Sequence, residues 1–365
     1  MRRFLSIVLL FSASTLGAQT LPWDASVRSA PAFYSYDVKA PFNEKMSEFS
    51  IPFFVAVPVL PQLTVDVGTA FATASLERRT YDGTGNVTKT KSQLSGLTDT
   101  QLRANYTFGQ DFVVVTAGLN LPTGSATVEL DELDAATRIG SDFLLFPISG
   151  FGSGFGMTGG VAVAQPMGDY NVGFGMSVRQ SSKYDAFRDA SGLATSFQPG
   201  PEYRGRLGID RAFGTGRMSL GLTYSKFGDD KSNAASFSSG DRFVFQYAMN
   251  NAFRSGVEYS FVMWNLYRTR GTLINNDASP SGNITNAMVT FGIRAPADVA
   301  IEPSIETRVW TQEKSKTSFL GSFGLRLFVN RGGYAIVPGF GFTLGAMESA
   351  SMTGFRGTLG VRLGT

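Results

Sequence analysis

The sequence of 365 residues contains no cysteine and no histidine. Without cysteine the chain cannot carry a disulfide framework, a thiolate metal site, a cysteine nucleophile or a lipidated N-terminal cysteine. Without histidine it cannot use an imidazole base or a histidine-ligated metal, which excludes catalytic sites of the Ser-His-Asp type. These absences remove the common hydrolase and metalloenzyme mechanisms, and we expect neither a metal nor a cofactor.

Charge is also scarce, since charged residues make up 17% of the chain, whereas a soluble domain usually has about 25%. The formal net charge of +3 is too small to indicate a nucleic-acid partner. After the N-terminus no apolar run reaches the roughly 18 residues of a membrane-spanning helix, which excludes a helical membrane protein. Glycine (42 residues) and phenylalanine (31 residues) are abundant. This composition is typical of β-structure that faces two different solvents.

The pattern of the N-terminal residues predicts an export signal. Met1–Arg3 is positively charged, Phe4–Phe11 is an apolar core too short to span a membrane, and Ser12–Gln19 is rich in small residues. We predict a cleaved signal peptide over residues 1–19, with cleavage between Gly17 and Gln19. The mature protein would follow the general secretory route without lipidation.

From about residue 48 onward, segments of about ten residues alternate between apolar and polar or small side chains, each followed by a turn signal. Successive side chains of a strand point to opposite faces, so one face is apolar and the other polar. A soluble β-sandwich would alternate in the same way. The export signal, the number of similar strands and the regular alternation of short and long connections instead favour an outer-membrane barrel. An exported chain can satisfy its backbone in lipid with strands only by closing the sheet.

The fold class predicted is therefore all-β, a transmembrane antiparallel up-and-down β-barrel that forms a single domain over residues 20–365. The alternative is a 14-stranded barrel with an N-terminal plug over residues 20–45. Bacterial single-chain barrels have even strand numbers, which favours sixteen strands. The predicted strands cover residues 27–39, 46–57, 62–79, 94–108, 111–121, 155–165, 170–183, 201–213, 216–227, 240–250, 252–267, 284–295, 297–310, 317–330, 333–346 and 350–364.

The polar face of these strands should line the barrel lumen. Ten arginines and six acids fall on it, and two interpretations stay open. The charges either pair across neighbouring strands and stiffen the wall, or form a pathway for polar solutes that tolerates anions. Phe227, Trp264 and Trp310 also point inward, either toward an apolar solute or against a folded-in loop. The predicted lumen charges are Asp99, Arg103, Glu202, Arg204, Arg206, Asp210, Arg242, Arg254, Glu258, Arg294, Glu302, Glu306, Arg308, Arg326, Arg356 and Arg362.

The longest predicted connection, residues 121–154, is acidic in its first part and apolar over Phe143–Ile148. Loops of this length in compact folds are usually functional, and the apolar part should avoid water. It either folds into the barrel mouth as a constriction or lies on the rim near the lipid. The spacing of the acids does not match a calcium loop, so a solvated acidic surface is favoured. The candidate constriction residues are Glu129, Asp131, Glu132, Asp134, Phe143 and Phe146.

Three short motifs resemble a known family. Ser95–Arg103 followed by Asn105 and Tyr106, Gly118–Gly124 and Gln165–Gly168 are similar to segments of outer-membrane transporter-like barrels associated with phenol and hydrocarbon degradation. These barrels are distant relatives of the FadL-type fatty-acid transporters. The resemblance implies transport of small solutes, hydrophobic ones included. It does not extend to the Asn-Pro-Ala start of a fatty-acid transporter hatch, nor to an aromatic C-terminal residue.

We therefore expect a Gram-negative, porin-like channel or transporter in the outer membrane that passes small solutes, hydrophobic ones included. The alternative is a closed structural or adhesion barrel that acts through its extracellular loops. An enzyme is not expected, since Glu302 and Glu306 would lie about 13 Å apart along one strand, too far for a glycosidase pair. The expected partners are outer-membrane lipid, the outer-membrane assembly machinery and a small-molecule solute. The oligomeric state stays open.

Overall fold

The computed structural model describes residues 26–81, 86–109, 112–233, 235–253, 256–295, 299–331 and 334–363. The predicted signal peptide lies outside these residues. Sixteen strands within them form the wall of a barrel. The strands are β1 (Ser26–Ser29 and Ala32–Val38), β2 (Glu44–Leu60), β3 (Leu63–Tyr81), β4 (Val87–Leu97 and Thr100–Phe108), β5 (Val113–Leu121), β6 (Gly156–Met167), β7 (Tyr170–Ser181), β8 (Glu202–Phe213), β9 (Gly216–Phe227), β10 (Arg242–Ala252), β11 (Glu258–Arg268), β12 (Gly282–Ala295), β13 (Val299–Gln312), β14 (Ser318–Arg331), β15 (Tyr334–Met347) and β16 (Ala350–Leu363).

The first and last strands close the barrel. Ala32 in β1 pairs with Thr358 in β16 on one side and with Ser50 in β2 on the other, and all neighbouring wall strands run antiparallel. Closure leaves no edge strand with unpaired backbone groups, as lipid requires. The prediction of sixteen strands is confirmed. The fourteen-strand alternative is wrong because residues 26–38 are part of the wall and not a plug.

The two ends of the barrel differ in their connections. Residues 61–62, 168–169 and 214–215 form tight turns at the end where β1 begins and β16 finishes. The opposite end carries the long connections, of which residues 122–155 are the longest. In bacterial barrels the short turns face the periplasm and the long loops face outward. We therefore refer to the loop end as the extracellular end.

The pairing register separates two faces. Residues directly opposite each other on antiparallel strands point to the same side of the sheet. Large apolar side chains such as Phe174, Phe323 and Phe340 are exposed on the outer face, where an apolar band facing lipid is expected. The alternation in the sequence thus gives the barrel its outer, membrane-facing surface.

Part of the loop region forms regular secondary structure. Short segments of three connections form a second sheet at the extracellular end. Phe197 stacks on Phe237 within this sheet, and Tyr184 meets Phe197 edge-on. Strands of two to five residues carry no readable alternation, so the sequence pattern did not reveal them. The second sheet consists of Val128–Glu129, Tyr184–Arg188, Ala194–Gln198, Asp230–Ser232 and Ala235–Phe237.

Candidate functional site

Residues 122–155, called the inward loop below, enter the barrel at its extracellular end. They contain a short helix, α1 (Leu133–Ile139), and then a segment in which Phe143 and Leu144 are each 1% exposed. Among the described residues no helix is long and apolar enough to cross a membrane. Burial of this apolar segment removes from water the surface that the sequence marks as hydrophobic. The structure places this segment inside the barrel mouth and not on the rim near the lipid, and a role as a constriction stays a prediction.

The buried residues of the inward loop pack on one side of the barrel. These residues form a single cluster with inward-facing side chains of β1–β3, β14–β16 and the first segment of β4, and Trp310 of β13 packs against this cluster. We call this inner surface the covered wall. On β3 the inward positions are Ala70, Ala72 and Ala74, all nearly fully buried. Small side chains at these positions leave the room that the loop occupies.

Arg308 of β13 holds the tip of the inward loop. Its Nη1 donates to the carbonyl oxygen of Phe143 at 2.7 Å, and its Nη2 donates to Glu306 at 2.8 Å. Trp310, one of the inward aromatic residues in the sequence, stacks on the Phe143 ring with centroids 5.7 Å apart. Tyr36 donates its hydroxyl to the carbonyl oxygen of Leu144 at 3.2 Å. The loop tip is thus bound by one charged, one aromatic and one phenolic group of the covered wall.

Glu44 of β2, which is 2% exposed, fixes the helical part of the inward loop. Its carboxylate accepts hydrogen bonds from Arg78 of β3 at 2.9 Å and from Arg138 of α1 at 3.0 Å. Arg78 also pairs with Asp134 at 2.9 Å. A buried carboxylate is tolerated when it is paired and hydrogen-bonded in this way. Glu44, Arg78 and Arg138 were not among the predicted site residues.

Asp99, at the break within β4, joins the two ends of the inward loop. Its carboxylate accepts hydrogen bonds from the backbone N–H of Ser153 at 2.7 Å, the side chain of Asn120 at 2.7 Å and the N–H of Gly124 at 3.2 Å. The two stems touch, because a Cβ on Gly124 would fall 2.0 Å from the carbonyl oxygen of Phe151. Only glycine permits this approach.

We expect Asp99→Ala to release the stems of the inward loop. Three donors would lose their acceptor, which costs about 1–3 kcal/mol for each buried group left unpaired. Limited trypsin digestion of the folded barrel should then cut after Arg138 at least several times faster than in the wild type. Asp189→Ala is the control, because Asp189 bonds only within its own exposed hairpin tip, to Ser191 and Leu193, among the described residues. Equal cleavage of both variants would show that Asp99 does not fix the loop.

The structure places the predicted lumen charges as follows. Arg254 lies outside the described residues, the register puts fourteen of the others on the inner face of the barrel, and Asp99 at the break within β4 bonds to the inward-facing Asn120. Most of the acids form ion pairs with arginine, as the stiffening interpretation expects. The pairs are Arg204–Glu202, Arg217–Asp210, Arg294–Glu258, Arg326–Glu302, Arg308–Glu306 and Arg356–Glu306. Arg217 was missed because it follows directly on a turn. Asp99 differs, since it holds the loop.

The acids of the inward loop are dispersed. Glu129 pairs with Arg188 of the second sheet at 2.8 Å, Glu132 accepts the N–H of Glu129 at 3.0 Å, and Asp131 is exposed. Asp134 pairs with Arg78 as described above. Within the described ranges no group of three or more acids could hold a metal ion. The acidic part of the loop contacts basic groups and solvent and does not gather into a site.

The remaining inner surface is accessible. We call the inner face from the second segment of β4 through β10 the open wall. Gln101, Arg103 and Arg179 point inward from it and are exposed, although they lie inside the barrel. Arg242 lies over the ring of Phe227 at 5.1 Å, at the end of this wall. The open wall therefore presents accessible polar side chains inside the barrel, and it meets the inward loop at the loop's stem, where Asn120 donates to the carbonyl oxygen of Gly154.

The fold is that of an outer-membrane β-barrel. No protein-family model matches the chain, and no curated protein matches it. Among solved structures it is similar to OprB of Pseudomonas putida, with 8% identity, a TM-score of 0.50 and coverage of 92% of both chains. It is also similar to the COG4313 outer membrane channel of Pseudomonas putida F1, with 12% identity, a TM-score of 0.42 and coverage of 96% of this chain and 99% of that one. At these identities the likeness concerns the fold alone, and the resemblance to the transporter-like family rests on the sequence motifs.

Proposed function

We propose that this protein is an outer-membrane channel that passes small solutes through the gap between the inward loop and the open wall. The observation that carries the proposal is the one-sided position of the loop. The loop covers the apolar inner surface and leaves the polar one, with Gln101, Arg103 and Arg179, accessible. A sixteen-stranded barrel is wide enough to contain both a folded-in loop and a water path, because the lumen widens with strand number.

The lining of the gap favours polar over apolar solutes. The described inward residues between β4 and β8 are mainly arginine, threonine, serine, asparagine and glycine. The family resemblance implies that hydrophobic solutes pass as well. The apolar part of the inner surface is packed against Phe143, Leu144 and Phe146 of the loop. Transport of an apolar solute along that surface would require the inward loop to move away from it.

The setting proposed for the channel follows from the sequence. The signal peptide over residues 1–19 would direct export, and the assembly machinery of the outer membrane would insert the mature barrel of residues 20–365. Outer-membrane lipid would cover the apolar outer face. The residues proposed to control passage are the accessible arginines of the open wall and the inward loop, whereas the lumen arginines that pair with acids are proposed to stiffen the wall.

The second sheet favours one other function. It gives three extracellular connections a defined surface in place of separate loops. A binding surface needs such order, so an adhesion barrel that acts through this sheet is the second candidate. The two functions differ in one measurable property, since only the channel conducts ions.

Single-channel recording tests the proposal. Mature protein extracted from outer membranes should insert into a planar bilayer and give stable, reproducible conductance steps. Protein that is folded, as judged by a heat-dependent shift on a gel, but electrically silent would contradict the channel and favour the adhesion barrel. A mock extract from cells that lack this protein controls for contaminating porins, since it should give no such steps.

A further inference from the structure

Two arginines flank a recess in the open wall, near the extracellular ends of β6, β7 and β8. Arg103 in β4 and Arg179 in β7 belong to one row of directly paired residues, in which Gly118 and Thr158 stand between them. Three strand spacings separate the two backbones by about 14 Å along the wall. Both side chains line the same recess of about 250 Å³. The small residues between them leave its floor empty.

The floor and rim of this recess supply neutral hydrogen-bonding groups. Thr116, Thr158, Ser177 and Asn120 line it. Of these, the Asn120 amide is already bonded to Asp99 and to the carbonyl oxygen of Gly154. The hydroxyl of Thr116 donates to Asn105. The remaining hydroxyls can donate to a group that enters between the arginines.

Positive charge is in excess around the recess. Its one lining carboxylate, Glu202, accepts two hydrogen bonds from Arg204. Arg103 interacts electrostatically with Asp66. In the part of the chain that the structure describes, no carboxylate lies within the 4.0 Å of an ion pair with Arg103 or Arg179. Arg206 stands beside the recess, within the electrostatic influence of Arg103 and Arg204.

Several other lumen arginines are each matched by an acid. Arg326 pairs with Glu302 at 2.7 Å and Arg294 with Glu258 at 2.8 Å. Paired arginines mainly stiffen a wall, whereas accessible guanidinium groups bind carboxylate or phosphate oxygens in a bidentate manner. The recess brings accessible guanidinium groups and free volume together.

We infer that the recess between Arg103 and Arg179 is a binding site for a small oxyanion, a carboxylate or a phosphate, on the route of the solute. The inference rests on the proposed channel function and names its substrate class. A recess of this volume is smaller than the roughly 300–1,000 Å³ of pockets for drug-sized ligands. It suits an anion of a few heavy atoms, which would displace water and replace it with charge-assisted hydrogen bonds.

The test compares anion selectivity and block in single channels. The wild type should prefer chloride to potassium in a salt gradient, and added succinate or inorganic phosphate should reduce its current. In the double variant Arg103→Gln, Arg179→Gln, the concentration for half block should rise about tenfold or more, because charge-assisted hydrogen bonds are lost. Block by one of the two anions alone would still support the site and would identify its ligand as a carboxylate or a phosphate.

A matched control distinguishes binding in the recess from a general effect of positive charge in the lumen. Arg326→Gln removes the same charge from a paired lumen arginine outside the recess and should leave the block within about twofold of the wild type. Equal loss of block in both variants, or no block in the wild type, would overturn the site. The variant Arg103→Lys, Arg179→Lys keeps the charge but loses the planar fork, so it should retain chloride preference and lose most of the block.

The outcomes for site and channel are distinguishable. Folded protein without conductance steps refutes the proposed function itself. Conductance steps without anion preference or block refute only the oxyanion site. Each variant is compared as folded, heat-modifiable protein, and a variant that does not fold is replaced by its lysine counterpart.

Discussion

Replacing residues 127–150 with two glycines is expected to raise the single-channel conductance severalfold. The segment carries α1 and the buried tip of the inward loop, which together occupy the covered side of the lumen. The deletion is geometrically feasible, since a Cβ on Gly152 would lie 2.8 Å from the backbone nitrogen of Ala126. The two stems can therefore be joined without spanning a gap, and the wall strands are unchanged. Conductance follows the cross-section of the water path, which widens when the loop is removed.

A second loop provides the control for this deletion. Removing the hairpin tip 189–193 shortens a connection of the same extracellular sheet but leaves the inward loop in place. Its conductance should match the wild type. If both deletions raise conductance equally, the extracellular sheet restricts flow and the inward loop does not. If neither does, the narrowest part of the path lies lower in the lumen.

Arg308→Met is expected to free the inward loop from the wall while leaving the barrel folded. Arg308 is 7% exposed, and its guanidinium bonds to loop carbonyls, Asn286 and Glu306. Removing one member of a buried pair costs about 3–5 kcal/mol. Glu306 keeps its second partner, Arg356 at 3.0 Å. The substitution should therefore weaken mainly the contact between the wall and the inward loop. The single-channel current should then fluctuate between the wild-type level and the higher level of the deletion variant.

Two comparisons make this expectation specific. Arg326→Met removes the same charge from the Glu302 pair, which does not contact the loop. Its single-channel current should be as steady as that of the wild type. Combining Arg308→Met with the deletion of 127–150 should give the same conductance as the deletion alone, because the effects of two changes that act through one contact do not add. An additive increase in conductance would show that Arg308 acts on the water path directly.

The alternation of side chains was enough to predict the wall. In β13 and β14 the polar residues Glu302, Glu306 and Arg326 fall on the inner face, as their spacing requires. Strand number and closure were predicted as well, because sixteen regular segments give the even count of a bacterial single-chain barrel. Strand ends were less accurate: β3 and β4 extend beyond the predicted segments, to Tyr81 and from Val87. Turn residues mark where a chain can turn, not how far two strands stay paired.

The covered wall could not be predicted from alternation alone. Ala72, Ala74 and Leu76 are apolar residues on the inner face of β3. The barrel pattern expects polar side chains that face solvent at such positions. The signal that could have identified them is an excess of small and apolar residues on the polar face of neighbouring strands. This excess can be interpreted only when an apolar loop is known to cover that face.

By itself the sequence determined the barrel, its outer apolar face, the inward direction of the lumen arginines and the absence of imidazole and thiol chemistry, because these depend on composition and on a period of two along each strand. Only the tertiary structure decided which side the inward loop covers, which of the arginines pair with acids, and that Arg103 and Arg179 share a recess. These properties depend on contacts between residues far apart in the chain. Such contacts are set by closure of the barrel and by burial of the loop, and neither leaves a periodic trace in the sequence.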